Sequence, residues 1–297
     1  MMVLVSLLLC ACAEASPAAP AQTLAPEQTA TPAPTPVPDQ PRVIAVFGAE
    51  DAAAFLAGVT EAAKDSGIAI EPVSGGLSAL AAYEPAGETV ALVYLSGATA
   101  TLPGTSVPVF VYAAEGQPVA SDVPQLRYDA TGAPELALEN ALNYPPHLAP
   151  VRLIGLFSSQ TSPAYLLWSE ATAAGKVFAK EAFFADTSKV ALADWLNDVF
   201  SRYYSGMLDA VYAETGAFAA AAADVLAGLG RDDLEVFSAG TDAEAADKLS
   251  PILVCAVGPN HADAGARCFA EAQKLLAGES AQSGTLPPES FWYTAKP

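Results

Sequence analysis

The chain has 297 residues, with 13 Lys and Arg against 33 Asp and Glu, so its formal net charge at pH 7 is −20. That charge repels phosphate backbones and anionic membrane surfaces, which excludes nucleic acid as a partner. The mean hydropathy of +0.31 does not indicate a membrane bundle, because no apolar run reaches the ~20 residues of a spanning helix and much of the apolar content is alanine.

An apolar segment opens the chain and has the layout of an export signal. Residues 1–11 form its apolar core, and Leu9-Cys10-Ala11-Cys12 resembles a bacterial lipobox, which predicts a lipoprotein signal peptide cleaved before Cys12 and lipidation of that cysteine. The bulky Leu9 disfavours cleavage before Cys10, and a buried first strand is the alternative to a signal. No Lys or Arg precedes Arg42, so the usual cationic start is missing and the sequence is compatible with a translation start further upstream.

The segment 12–41 predicts a tether and not a folded element. Between Ala13 and Pro41 there are 8 Pro, 8 Ala and 4 Thr among 29 residues. Proline fixes φ and lacks an amide donor, so this composition favours a disordered, extended chain that could reach roughly 90 Å at about 3.1 Å per residue. The first forty residues therefore predict that the domain is exported and anchored to the membrane by a lipid.

Short apolar runs alternate with alanine-rich helical stretches beyond Arg42, which is typical of a parallel sheet covered on both faces. Each run is bounded by turn residues, as where Gly67 ends the first helix. In the first half, strands are predicted at Val43–Phe47, Ile68–Val73, Val90–Leu95, Val107–Tyr112 and Gln125–Tyr128, and helices at Ala52–Asp65 and Ala133–Asn143.

The same alternation restarts after a break at Tyr144-Pro145-Pro146. Strands are predicted at Val151–Phe157, Val177–Phe184, Leu208–Tyr212, Leu234–Ser238 and Ile252–Val257, and helices at Ala164–Ala174, Val190–Tyr203, Gly216–Gly228, Ala243–Lys248 and Ala262–Ala277. The sequence pattern thus predicts about five strands in each half.

Two such halves, meeting at Tyr144–Pro150, resemble the type I periplasmic-binding-protein family, which includes sugar-binding receptors of ABC transporters and the ligand-sensing domain of lactose-repressor-type regulators. Residues 208–223 and 229–242 resemble the core of that family's second lobe, where a strand ending in a polar cluster leads to a helix, a charged turn and a further strand. Tyr128-Asp129-Ala130-Thr131-Gly132 resembles the end of its first lobe. The likeness covers about residues 42–293. Because a signal peptide and a tether are predicted before the domain, we expect no DNA-binding helix-turn-helix and therefore no repressor.

The resemblance implies an α/β, two-lobed fold in which each lobe is a mostly parallel sheet flanked by helices and a ligand binds in the cleft between the lobes. In chain order we expect the N-terminal lobe at 42–144, the C-terminal lobe at 151–288, and a returning hinge strand with the tail at 289–297. We expect a monomer that touches the membrane only through its lipid.

Ligands of open parallel sheets bind beyond the carboxyl ends of the strands, so the loops at those ends hold the candidate site residues. These side chains are polar, acidic or aromatic, which suits hydroxyl groups, amines and sugar faces. The candidates are Glu50, Asp51, Ser96, Tyr112, Glu115, Ser158, Gln160, Thr161, Tyr165, Glu214, Thr215, Thr241 and Asp242.

Several candidates have a purely structural alternative. The acids can cap helices or face solvent, Thr161 or Ser162 can cap the helix that starts at Pro163, and Tyr112 and Tyr165 can pack in the core. No Arg occurs in the predicted strand-end loops, which departs from the family's sugar-binding members and disfavours a typical pyranose.

Catalytic and metal sites are not predicted. His147 and His261 are the two histidines and neither belongs to a ligand motif, and no nucleophile-elbow or dinucleotide-binding motif follows a strand. We therefore expect a protein that is not an enzyme and uses no cofactor or metal. Cys255 and Cys268 fall in a strand and a helix, and free buried thiols are slightly favoured over a disulfide.

Three functions remain open for an extracytoplasmic, lipid-anchored protein of the bacterial cell membrane. The leading one is a solute-binding lipoprotein that captures a small polar ligand, sugar-like or nucleoside-like, and presents it to an ABC permease. The second is a surface lipoprotein that senses a ligand for a membrane kinase or receptor. The third is a degenerate scaffold that no longer binds.

Overall fold

The computed structural model describes residues 40–48, 52–96, 101–114, 119, 122–145, 147–240 and 248–295. The predicted signal and nearly all of the predicted tether lie outside these residues. Most of the short helix predicted at Ala243–Lys248 lies outside them as well.

The first sheet has six strands, and the apolar runs of its four central strands are buried as expected for a sheet covered on both faces. The strands are β1 (Arg42–Phe47), β2 (Ala69–Val73), β3 (Glu88–Leu95), β4 (Val109–Ala113), β5 (Gln125–Tyr128) and β11 (Gly284–Leu286). They are parallel, in the order β11-β5-β4-β3-β1-β2. Helices α1 (Ala53–Ala63) and α7 (His261–Leu276) cover one face and α2 (Gly76–Ala81) packs on the other.

The second sheet also has six strands. They are β6 (Val151–Phe157), β7 (Val177–Phe184), β8 (Ala210–Ala213), β9 (Glu235–Ser238), β10 (Leu253–Gly258) and β12 (Glu289–Trp292). The order is β12-β10-β9-β8-β6-β7, and all neighbours are parallel except β12, which runs antiparallel to β10. Helices α5 (Leu192–Arg202) and α6 (Gly216–Gly228) cover one face, and α3 (Ala133–Asn143) and α4 (Pro163–Ala173) cover the other.

The chain passes three times between the two sheets. The passages are residues 129–132 between β5 and α3, residues 259–260 between β10 and α7, and residues 287–288 between β11 and β12. We call the elements packed on the first sheet the first lobe (β1–β5, β11, α1, α2, α7) and those packed on the second sheet the second lobe (β6–β10, β12, α3–α6).

The predicted boundaries 42–144, 151–288 and 289–297 divide the chain in sequence order. The lobes in the structure are instead made of segments that alternate along the chain. Helix α3 buries Ala137 and Leu138 against the second sheet, whereas α7 buries Cys268 and Phe269 against the first. The segment Tyr144–Pro150, predicted as the meeting point of the halves, joins α3 to β6 within the second lobe. The three passages, and not Tyr144–Pro150, therefore connect the two lobes, and we call them the hinge.

Two elements were not predicted. Helix α2 is preceded by Gly75 and begins at Gly76. Both glycines have positive φ, and two glycines are a poor sequence signal for a helix start. Strand β11 has only three residues and exists because it pairs with β5. Strand β12 pairs with β10 in the second sheet and coincides with the strand predicted near the end of the chain.

Both described cysteines are free and buried, which confirms the favoured prediction. Cys255 lies in β10, where the Asn140 side chain donates a hydrogen bond to its Sγ at 3.3 Å, and Cys268 packs in the first lobe. The two cysteines belong to the cores of different lobes and do not contact each other. Burial raises the pKa of each thiol.

His147 holds the loop between α3 and β6 against the amino edge of the second sheet. Its Nδ1 lies 2.8 Å from the carbonyl oxygen of Ala141, and its Nε2 lies 3.3 Å from Glu235 Oε2. The ring also contacts the edges of Tyr144 and Phe237. Burial by itself lowers the pKa of His147, but the bonds to Glu235 and Ala141 and the charges of Glu235 and Asp209 outweigh it, so the pKa is raised.

Replacing His147 by glutamine is expected to lower the free energy of unfolding by about 1 kcal/mol near pH 6. A raised pKa means that the imidazolium contributes fully below its unfolded pKa of about 6.5 and that this contribution is lost as pH rises through the folded pKa. The difference between the wild type and His147→Gln should thus shrink between pH 6 and pH 8.5 in urea titrations. A difference that grows with pH would contradict the assignment.

Candidate functional site

The parallel strands of both lobes end at the edges from which the three passages leave, so their carboxyl-end loops lie on the hinge side of each lobe. Two hydrogen bonds link the passages 129–132 and 259–260 to the residues on either side of the passage 287–288. The main-chain N of Asp129 donates to Leu286 O at 2.9 Å, and the side-chain amide of Asn260 donates to Glu289 Oε2 at 3.0 Å. This edge carries the described candidate residues, and it is where ligands of parallel sheets bind.

In the second lobe, a serine and a glutamate from two neighbouring strand ends bind each other. Glu214, after β8, accepts hydrogen bonds from Ser158 N at 2.6 Å and from Ser158 Oγ at 2.9 Å. Ser158 follows β6, and its carbonyl oxygen accepts from Asp186 N at 3.0 Å in the loop after β7. Three adjacent strand-end loops are thus fixed to one another, and Ser158 and Glu214 form a preorganised polar lip on the second lobe.

The loop after Ser158 presents hydroxyl groups. Ser159 Oγ and Thr161 Oγ1 lie 3.1 Å apart, and both Gln160 and Thr161 are exposed. The helix cap is made by Ser162, whose Oγ accepts from Tyr165 N at 3.3 Å. Of the two predicted caps, Ser162 is therefore the one used, and Thr161 remains available on the surface.

Thr215 caps its own helix. Its Oγ1 accepts from Phe218 N at 3.2 Å at the start of α6, so its hydroxyl lone pair is occupied. At the end of the next strand, β9, Ser238 is fully buried and closes a tight turn with Gly240. Both residues shape the edge next to the polar lip.

The first lobe contributes aromatic side chains, and one candidate is placed differently from its prediction. Tyr112 is fully buried, with its ring stacked on Phe55 at 5.2 Å, so its face cannot stack on a ligand. Its hydroxyl instead lies 3.2 Å from Nδ1 of His261. Ser96, directly after β3, is exposed.

Tyr165 is half-buried in an aromatic cluster of the second lobe. Its ring meets Phe157 at 5.3 Å and Phe184 at 5.0 Å, both edge to face. Its core packing follows from the apolar carboxyl ends of β6 and β7, so only part of the ring is left for contact with a ligand.

The remaining candidates lie outside the described residues. They are the lipidation candidate Cys12 and the ligand-binding candidates Glu50, Asp51, Glu115, Thr241 and Asp242. All but Cys12 belong to predicted strand-end loops.

Two cavities of the described structure lie away from this edge. One of about 420 Å³ is lined by Asp122, Pro124 and Glu279, where β5 begins and α7 has ended. The other, of about 390 Å³, is lined by Leu249, Trp292 and Tyr293. Both are at the amino ends of parallel strands, and we assign neither to the candidate site because ligands of such sheets bind at the carboxyl ends.

The structure also bears on metal binding and membrane spanning. The described residues contain no group of three or more His, Cys, Asp or Glu side chains that could hold a metal ion. None of the helices described in the chain is long and apolar enough to cross a membrane.

No protein-family model matches the sequence, and no curated protein matches it. Solved structures do. An ABC transporter solute-binding protein from Bradyrhizobium sp. BTAi1 with bound Bis-Tris has 15% identity and a TM-score of 0.59, over 84% of this chain and 81% of that one. A chain of the complex between the TorS sensor domain and TorT has 14% identity and a TM-score of 0.55, over 85% and 92%.

A sugar ABC transporter protein from Yersinia enterocolitica has 16% identity and a TM-score of 0.50, over 85% of this chain and 83% of that one. The names of these structures refer to solute binding, transport or sensing, and none refers to an enzyme. Together with the two parallel sheets and the three passages between them, these similarities show that the chain has a type I periplasmic-binding-protein-like fold.

Proposed function

We propose that this chain is a solute-binding lipoprotein that captures a small, uncharged, hydroxyl-rich ligand by closing its lobes and presents the ligand to an ABC importer. The observation that carries the proposal is the polar lip of Ser158 and Glu214, fixed at the carboxyl edge of the second lobe and facing the hinge side. A fixed carboxylate and exposed hydroxyls suit sugar, polyol or nucleoside hydroxyl groups.

The charges at this edge disfavour an anionic ligand. Glu214 and Asp186 lie in the loops after β8 and β7. The described loops 158–162, 214–216 and 258–261 contain no Lys or Arg, and the loop after β7 carries one exposed cation, Lys189. An anionic ligand would meet these carboxylates with no arginine, and with Lys189 as the one lysine of these loops, to bind its phosphate or carboxylate group. Lobe closure would then be driven by hydrogen bonds and by apolar contact with aromatic residues such as Tyr165.

We place the protein outside the cytoplasm, anchored through the lipid on Cys12 and held away from the membrane by the tether. The sequence motif and the composition of the tether support this location. The net charge of −20 supports it as well, because it disfavours direct contact of the domain with an anionic surface.

A thermal-shift screen of residues 40–297 tests the proposal. Ribose, xylose, xylitol and adenosine should be compared with ribose 5-phosphate, and at least one uncharged compound should raise the melting temperature by several degrees at saturating concentration. Glu214→Ala should abolish that shift, whereas Glu279→Ala, which removes an exposed acid at the opposite edge, should preserve it. If no compound in the screen shifts the wild type, the degenerate scaffold becomes the better description.

A sensor role is the second candidate, favoured by the similarity to a chain from a complex with a sensor domain. Both functions use the same cleft and differ in what recognises the closed form. Genes for a permease and an ATPase next to this gene would support the importer, and a gene for a membrane kinase would support the sensor.

A further inference from the structure

His261 is the first residue of α7 and directly follows the passage 259–260. Its ring contacts the edges of Tyr94 and Tyr112, with centroids 6.0 Å away in each case. These tyrosines are paired across β3 and β4 and are the next-to-last residues of their strands. His261 therefore lies at the carboxyl edge of the first lobe, across the hinge from the polar lip of the second.

The backbone at His261 is held from both lobes. Asn260 Oδ1 accepts from Asp263 N at 3.1 Å and caps α7, while Asn260 Nδ2 donates to Glu289 at the start of β12. One side chain thus binds a helix of the first lobe and a strand of the second, which fixes the position from which the imidazole extends.

Tyr112 determines which ring nitrogen of His261 carries the proton. The Tyr112 side chain is fully buried, and Nδ1 of His261 is the one hydrogen-bond partner of its hydroxyl in the described part of the chain. Because a buried O–H without an acceptor costs more than an idle lone pair on the oxygen, we assign Tyr112 Oη as the donor and Nδ1 as the acceptor. In a neutral imidazole the proton is then on Nε2. Burial lowers the pKa of His261 and raises that of Tyr112, which keeps both groups neutral at pH 7.

The Nε2 atom is accessible. Among the described side chains, only Trp168 and Asp263 have a buried polar atom without a hydrogen-bond partner, and the Asp263 atom is ion-paired with Arg267 at 2.8 Å. Nε2 of His261 has no hydrogen-bond partner among those residues and is not one of these buried atoms, so it reaches solvent. His261 lies at the carboxyl edge of the first sheet, which is the edge where ligands of parallel sheets bind.

We propose that His261 donates a hydrogen bond from Nε2–H to an oxygen atom of the bound ligand, and that Tyr112 is a positioning residue that fixes this tautomer. The inference rests on the proposed function, because it needs a ligand in the cleft. It adds a specific demand on the ligand: an oxygen acceptor facing the first lobe, opposite the hydroxyl and carboxylate partners supplied by the second.

Titration calorimetry with the compounds of the screen (ribose, xylose, xylitol and adenosine) tests the proposal. His261→Phe keeps an aromatic ring but removes the donor, and it should weaken binding about 5- to 10-fold. Tyr112→Phe removes only the hydroxyl and should weaken binding by a smaller factor. His147→Gln replaces the other histidine, which is at the far edge of the second lobe, and should leave the affinity unchanged.

Nitrogen-15 NMR of the two imidazoles gives a readout that does not need a ligand. We expect His261 to show the Nε2–H tautomer at pH 7 and to become a tautomer mixture in Tyr112→Phe. Wild-type affinity in His261→Phe would overturn the inference while the proposed function stands. If no compound binds the wild type, the proposed function fails, and an Nδ1–H or imidazolium signal from His261 would overturn this inference separately.

Discussion

Replacing Gly265 by alanine is expected to lower the free energy of unfolding by about 3 kcal/mol or more. Helices α1 and α7 cross at Gly58 and Gly265 so closely that each glycine faces the backbone of the other helix. A Cβ atom at Gly265 would overlap the carbonyl oxygen of Phe55 and lie 2.9 Å from Val59 N. A backbone atom cannot rotate out of the way as a side-chain tip can, so the two helices would have to separate.

Separation of these helices would expose the centre of the first lobe. Phe55 and Val59 of α1 and Cys268 and Phe269 of α7 are all buried in one core against the first sheet. Moving α7 outward also moves its first residue, His261, relative to Tyr112. Gly265→Ala should therefore reduce both stability and the proposed ligand binding.

Urea denaturation measures this effect, and Gly228→Ala is the matched control. Gly228 is the last residue of α6, and an added Cβ there would meet nothing within 4 Å. Alanine at that position should be neutral or stabilise by up to about 1 kcal/mol, because it restricts the unfolded chain. Equal stability of Gly265→Ala and the wild type would mean that the helices are not in close contact.

The same helices show what the sequence could and could not predict. The apolar runs of β1, β3, β6 and β10 identify strands buried on both faces, and they are buried in the structure. Helical periodicity showed that α3 and α7 each have an apolar face, but it contains no information about which sheet receives that face. Chain order was the available guide, and it assigned both helices to the wrong sheet.

Part of the candidate site could be predicted from the sequence, and part could not. Ser158 and Glu214 are 56 residues apart, yet parallel strands that end at one edge bring them within hydrogen-bond distance. That meeting could be predicted from topology. The role of Tyr112 could not, because a tyrosine at a strand end can face either the core or the cleft, and alternation along five residues does not say which. His261 was in a predicted strand-end loop, but a single histidine without a spaced partner carries no sequence signal.

Replacing Asp209 by alanine is expected to lower the free energy of unfolding by about 2–3 kcal/mol at pH 7. Asp209 precedes β8, and its Oδ2 accepts from Arg152 N at 2.7 Å and from Arg152 Nε at 3.0 Å. Its other carboxylate oxygen binds a second guanidinium nitrogen of Arg152. The carboxylate side chain is 15% exposed, so water replaces these bonds poorly when it is removed.

The pair joins two neighbouring strands at their amino ends. Arg152 is the second residue of β6, and its guanidinium also donates to the carbonyl oxygen of Gly206 in the loop before β8. Without Asp209, the main-chain N–H of Arg152 and part of its guanidinium lose their acceptor. Asp209→Asn keeps one acceptor oxygen and should cost less than Asp209→Ala.

Acid should remove the same stabilisation in the wild type. Burial alone raises the pKa of Asp209, but the bonds and charge of Arg152 and the charge of His147 outweigh it and hold the pKa below its usual range. A lowered pKa means that the contribution is complete above the unfolded pKa of about 3.9 and is lost as pH falls through the folded pKa. The difference between the wild type and Asp209→Ala should thus be constant around neutral pH and shrink below about pH 4.

Urea titrations at pH 7 and in acid measure both effects, with Asp224→Ala as the control. Asp224 forms an ion pair with Lys248, but its side chain is 66% exposed, so its removal should change stability by no more than about 0.5 kcal/mol. Similar losses for Asp209→Ala and Asp224→Ala would mean that the Arg152 pair is an ordinary surface ion pair. A larger loss for Asp209→Ala that disappears in acid would instead show that a largely buried carboxylate holds the amino ends of β6 and β8 together.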